Sequence, residues 1–151
     1  CIGNTFLMDK DMTRLSWYGQ GLQDSYVDRL EATGIGRWTS SVDQEYVHYP
    51  RPQSSGNHEQ TVTLSLTDAK GRGYTVTTAN ATPFAFSALP YSEHQLSTVA
   101  HDCDLHTENN VFLNIDAAMM GLGNSSCGPG VLTKYSIPQK QHSLHVMFKR
   151  K

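Results

Sequence analysis

Cysteine is scarce and odd in number. Cys1, Cys103 and Cys127 are the three present, which excludes a fully paired disulfide framework. The plain expectation is free thiols in a reducing compartment, with a Cys103–Cys127 bridge as the alternative. Charge is sparse as well. Asp, Glu, Lys and Arg make up 17% of the chain, and 14 acidic against 12 basic residues leave a net charge of −2. That balance lacks the electrostatic footprint of a nucleic-acid binder. Lys149, Arg150 and Lys151 form the one basic cluster, and it reads as a solvated end. No apolar run approaches the roughly 20 residues that cross a bilayer, so no membrane partner is expected. Cys1 to Met8 also lacks the basic-then-apolar order of a secretory signal. The sequons at Asn80 and Asn124 would matter only in a secreting eukaryote. No repeat, low-complexity tract or internal linker breaks the chain. Its 151 residues, 38% apolar, suit one domain with its own core, spanning residues 1–151.

What is present is period-two alternation. Val62, Leu64 and Leu66 alternate with threonines and serine, and Tyr74 to Thr78 alternates again. Asp68 to Gly73 lies between, with two glycines, and the whole predicts a β-hairpin. Leu144, Val146 and Phe148 share one face of a predicted C-terminal strand, for which Val131–Ile137 is the expected partner, limited by Pro129 and Pro138. Val111 to Asp116 reads as a strand whose parity buries Leu113 and Ile115. Asn114 and Asp116 face the other way and are expected to brace the following loop through hydrogen bonds. A less regular strand is expected between Phe6 and Trp17. One short helix is predicted after Ser92, with Gln95 completing a capping box and Leu96 and Val99 at helical spacing. Many short strands between turn clusters give an all-β, antiparallel sandwich with at most one short helix.

Motifs of chemistry are few. Gly34-Ile35-Gly36 and Gly121-Leu122-Gly123 lack the third glycine and the following helix of a phosphate loop, and read as turns. His101-Asp102-Cys103-Asp104-Leu105-His106 is the best metal candidate. In an extended chain Asp102, Asp104 and His106 would share a face, but no second half with ligand spacing exists elsewhere, so surface polar residues are the plainer reading. No metal ligand is assigned. Cys127 in its Gly/Pro/Ser loop reads as an ordinary thiol rather than a nucleophile. Trp17, Tyr18, Tyr26, Trp38, Tyr46 and Tyr49 crowd the first third, a composition that suits either core packing or sugar faces. Arg29 and Arg37, near Trp38, are expected to form a structural cluster with Asp24 and Asp28.

Taken in order, the motifs become specific. Trp17-Tyr18-Gly19-Gln20-Gly21 precedes Gln23-Asp24-Ser25-Tyr26-Val27-Asp28-Arg29. Pro52-Gln53-Ser54-Ser55-Gly56-Asn57 follows, and Leu113-Asn114-Ile115-Asp116 leads to Met120-Gly121-Leu122-Gly123. Nearly the whole chain resembles the C-terminal, small-chain domain of glycoside hydrolase family 2 β-galactosidases. The resemblance implies a galactose-mutarotase-like supersandwich, of which this chain supplies part, at the end of a multidomain hydrolase of terminal non-reducing β-D-galactosyl residues. It places the two catalytic glutamates and the magnesium ligands in a separate barrel, with sodium as a further candidate ion of the parent. No catalytic residue and no cofactor are therefore expected within this chain. Its partners would be the remaining domains of the parent and, through the parent's active site, the galactoside. The resemblance also implies a loop at the rim of that site, here Asn124, Ser125, Ser126 and Cys127. Many relatives carry a sugar-stacking tryptophan where Cys127 stands, so contact would come from the thiol, the Asn124 amide or backbone donors. Localisation stays open between bacterial cytoplasm and periplasm. The alternatives are a stand-alone carbohydrate-binding sandwich, suggested by the aromatic first third, and a purely structural interface domain.

Overall fold

A computed structural model of the chain describes residues 1–123, 128–137 and 140–151. Nine strands and one α-helix are present among the described residues. The strands are β1 (Ile2–Asp9), β2 (Arg14–Gly21), β3 (Gly34–Ser41), β4 (His58–Thr61), β5 (Thr63–Thr67), β6 (Gly73–Thr78), β7 (Phe84–Leu89), β8 (Asn110–Ala118) and β9 (Val146–Arg150). The helix α1 covers Glu93–Thr98. They form a four-stranded sheet in the order β1-β8-β7-β4 and a five-stranded sheet in the order β3-β2-β5-β6-β9, with antiparallel pairing throughout. The all-β sandwich read from the sequence is the architecture observed.

Alternation sets which residues face the core. Met8, Phe84, Phe86, Val111, Leu113 and Ile115 come from one sheet, and Leu15, Trp17, Leu64, Leu66 and Val76 from the other; together they make one cluster. Leu64, Phe86, Leu113 and Ile115 are fully buried, so the parity predicted for β8 holds. Each such side chain contributes roughly 1.5–3 kcal/mol by leaving water, which is why the sheets face each other along these rows.

The expected hairpin forms as β5–β6, with Leu66 opposite Tyr74 and Leu64 opposite Val76. The Asp68 carboxylate accepts the backbone N–H groups of Lys70 and Arg72 at 2.8 and 2.9 Å, and Gly71 supplies φ +80°. The predicted run is broken at Val62, however. There the chain passes from the four-stranded sheet (β4) to the five-stranded one (β5), and the Val62 N–H donates to Tyr18 O at 2.9 Å.

The region from Phe6 to Trp17 is two strands rather than one. A turn at residues 10–13, closed by Met12 N–H to Asp9 O at 3.0 Å, sends β1 and β2 to different sheets. Residues 131–137 are not a strand. They carry a 3-10 turn at Thr133–Tyr135, and β9 pairs with β6 instead, placing Phe148 opposite Val76. The open edge of β6 offered a full ladder, which a proline-bounded segment could not match. Face parity in β9 still holds: Leu144 and Val146 pack on the core, and the Phe148 ring lies 4.8 Å from that of Phe6.

Ser92 caps α1, its hydroxyl accepting the Gln95 N–H at 3.2 Å. The other half of the predicted capping box is replaced. The Ser92 N–H donates to Glu108 Oε1 at 2.9 Å, while the Gln95 amide reaches His106 O and the same Glu108 oxygen.

Candidate functional site: a clamped loop and an acidic cavity

Gly21 ends β2, and the chain then runs through a segment stitched to β4. The Ser25 N–H donates to Asn57 O at 2.6 Å, and the Asn57 amide returns a bond to Ser25 O at 2.8 Å. The Ser25 hydroxyl accepts the Glu59 N–H at 2.9 Å. Tyr26 is buried beside them, and burial drives its hydroxyl far above the usual range for ionisation. Asp24, also buried, takes the Tyr49 hydroxyl at 3.3 Å and lies 3.7 Å from the Arg29 guanidinium. Arg29 and Asp24 thus pair as expected, but Arg37 does not join them. Its guanidinium stacks 5.6 Å above the Tyr18 ring, on exposed surface.

Asp28 does something other than the salt-bridge role expected of it. Its carboxylate accepts the backbone N–H of Leu122 at 3.1 Å and of Gly123 at 2.8 Å. A Cβ on Gly121 would stand 2.7 Å from the Asp28 carboxyl carbon, so only glycine lets the loop approach this closely. Gly123 adopts φ +63°, with Val131 N 2.6 Å from where a side chain would begin. The Gly121 N–H donates to Tyr135 O at 3.0 Å. The two motif blocks, joined by bonds 94 and 95 residues apart in the chain, therefore meet in one clamp directly before Asn124. Asn124, Ser125, Ser126 and Cys127 themselves lie outside the described residues, as does any bridge from Cys103 to Cys127.

The 101–106 segment is not extended. Asp102–Asp104 form a 3-10 turn, so the shared face assumed for Asp102, Asp104 and His106 does not exist. Asp102 instead accepts the Tyr46 hydroxyl at 2.7 Å and pairs with His48. The Tyr46 bond, then that of His48, hold its carboxyl below the usual range. Among the described residues no three His, Cys, Asp or Glu side chains converge to hold a metal. The aromatic first third divides: Trp17, Tyr26 and Tyr46 are core, and Tyr18 is exposed.

Sequence reasoning missed a cavity on the outer face of the four-stranded sheet. Asn114 faces outward but binds across strands, to Thr5 and Ser87, not to the following loop. Asp116 sits between Gly3 of β1 and Ala85 of β7 in the strand register. It is 3% exposed, and its Oδ2 has no hydrogen-bond partner. Glu59 reaches the same face from β4, beyond β7, at 6% exposure, with the Asn57 amide on its Oε1 at 3.1 Å. Both carboxylates line a space of about 350 Å³ whose lining also includes Lys134, Tyr135, Ser136, Lys140 and His142. Burial pushes Glu59 up to about 7, with Asp116 adding to it, and burial pushes Asp116 up to about 6. The one signal in the sequence was a glutamate in the strand run His58–Thr61, where a half-buried strand has no reason to carry one.

A family sequence model described as "Beta galactosidase small chain" matches residues 1–148. The chain is 35% identical over 150 residues to a β-galactosidase, BgaC, of Bifidobacterium adolescentis, covering 97% of this chain and 14% of that protein. It is 35% identical over 121 residues to a β-galactosidase of Streptococcus thermophilus, covering 80% and 12%. With a β-galactosidase of Kluyveromyces lactis the identity is 31% over 136 residues, covering 90% and 13%. The chain thus spans between 12 and 14% of the length of these relatives. With its ordered motifs, its two-sheet architecture and this match, the chain belongs to the β-galactosidase small-chain family.

Proposed function

We propose that the chain is the C-terminal sandwich domain of a retaining β-galactosidase, acting on terminal non-reducing β-D-galactosyl residues. In this reading residues 1–151 fold as one domain and serve the parent enzyme as a buttress. The observation that carries the reading is the Asp28 clamp. A half-buried carboxylate holds the two consecutive amides of Leu122 and Gly123, which anchors the chain directly before Asn124, the first residue of the rim loop in this reading.

The chemistry itself is assigned to the rest of the parent. Retaining hydrolysis needs two carboxyl groups about 5–5.5 Å apart, one a protonated acid and one an ionised nucleophile. Their surroundings must push the two ionisations apart. Glu59 and Asp116 are moved in the same direction by the same cause, burial, so they are not such a pair. The magnesium of the parent belongs with its barrel, and the galactoside meets this domain only at Asn124–Cys127.

The test uses the parent enzyme with Asp28→Ala. Freed from its anchor, the rim loop should raise KM for lactose several-fold while the melting temperature falls only modestly. Unchanged KM and kcat in a folded D28A enzyme would remove the clamp from any role in function.

A further inference from the structure

A groove of about 500 Å³ lies beyond the end of β2, between the segment that follows it, the end of β3 and the residues just after. Its charged lining is Asp24, Arg29 and Glu45, and the rest is neutral polar or apolar. Asp24 is buried, at 8% exposure, yet its carboxylate is thinly partnered. Oδ2 accepts the Tyr49 hydroxyl in a long bond of 3.3 Å, and Oδ1 lies 3.7 Å from the Arg29 guanidinium, too far for a hydrogen bond. A carboxylate has acceptor capacity for about four bonds, so Asp24 keeps part of that capacity in the groove wall. The part-exposed Arg29 side chain brings N–H donors to the same place.

Charge decides what such a wall can hold. Asp24 and Arg29 offset each other, and Glu45 is engaged by the buried His58, Oε2 to Nε2. An anion arriving at Arg29 would meet the Asp24 carboxylate, and a cation arriving at Asp24 would meet the guanidinium. A neutral ligand with adjacent hydroxyl groups meets neither penalty, because one hydroxyl can donate to Asp24 while its neighbour accepts from Arg29. Ser40 and Gln44 add neutral hydrogen-bonding groups, and the exposed Leu22 with Val47 supplies apolar surface for the C–H face of a sugar ring.

We propose that this groove binds a neutral sugar through two adjacent ring hydroxyls, held between the Asp24 carboxylate and the Arg29 guanidinium. Tyr49, whose hydroxyl already rests on Asp24, orients the carboxylate. Ser25, next to Asp24, is stitched to Asn57, which holds this wall in place before ligand arrives and lowers the ordering cost of binding. The inference goes beyond the buttress role and concerns a bound ligand, not the galactosyl bond being cleaved.

Lactose and cellobiose are the probes, titrated into the isotope-labelled chain and followed through its backbone amide resonances. Either sugar should give saturable shifts centred on Asp24, Arg29 and Gln44, with Lys70 in the β5–β6 turn unmoved. Asp24→Asn keeps side-chain volume and should weaken apparent affinity at least tenfold. Gln44→Ala, at an exposed position, should weaken it several-fold without lowering the melting temperature. Binding of cellobiose alone would support the sugar site while separating it from the galactoside reading of the parent. Shifts that fail to saturate with both sugars, shifts gathered elsewhere, or equal affinity in D24N, Q44A and the original chain overturn the proposal. So does a saturable response to inorganic phosphate at Arg29 with both sugars silent.

Discussion

At the scale of single residues, four side chains bear most of the account. Ile115 is fully buried between the sheets. Ile115→Asp should destabilise the chain by about 4 kcal/mol or more, because a buried charge with no partner is among the few changes that cost so much. Near-native chemical denaturation of that variant would show that the β8 parity is wrong. Asp28→Ala deletes the acceptor of two backbone amides and should cost on the order of 1–3 kcal/mol. Hydrogen exchange at Leu122 and Gly123 should quicken far more than at Leu64, and equal slowing or quickening at both would contradict a local clamp.

The third case is the acidic pair. Glu59 and Asp116 both ionise in the folded chain above their ordinary values, at about 7 and about 6. The folded state therefore binds protons more readily than the unfolded one from roughly pH 4 to 7. Their contribution is most favourable below that window and is lost as pH rises through it. The groups around them are Lys134, Lys140 and His142 at the cavity, and Glu93, which raises Asp116. In E59Q the stability difference between pH 5 and pH 8 should shrink by on the order of 2 kcal/mol, read from urea melts in chelator. An unchanged pH slope would mean the pair is hydrated and ordinary. The role of Asp28 was illegible in the sequence, and the cavity left only the glutamate in the His58–Thr61 run as a sign, because each depends on backbone from distant strands. A carboxylate that binds amides of a loop 94 and 95 residues away leaves no local pattern.

At the scale of elements, what could be read was whatever local spacing decides. The β5–β6 hairpin formed because alternating apolar residues and a glycine-bearing turn agree on one register. Helix α1 formed behind its serine cap, and Ser92→Ala should cost about 1 kcal/mol, seen as a lower melting temperature. A variant as stable as the original would show that Glu108, which takes the Ser92 N–H, secures this helix start unaided. What could not be read was pairing. The partner of β9 is β6, some 70 residues earlier, and alternation specifies a face, not a neighbour. The split of residues 6–17 into two strands, and the change of sheet at Val62, are likewise decisions of the sandwich and not of the segment.

At the scale of the molecule, two sheets enclose one core, and a stitched segment with a clamped loop lies at its edge. Membership of the β-galactosidase small-chain family accounts for the ordered motifs, since the Tyr26–Arg29 and Met120–Gly123 blocks are the two halves of that clamp. The relatives are about seven times longer than the matched stretch. The central claim is that bond cleavage belongs to a part of the parent outside residues 1–151. Its most direct test is the turnover of nitrophenyl β-D-galactoside by the purified 151-residue chain in magnesium and sodium. The account predicts a rate indistinguishable from buffer, in the original chain and in E59Q alike. Magnesium-dependent hydrolysis that disappears in E59Q or D116N would contradict it.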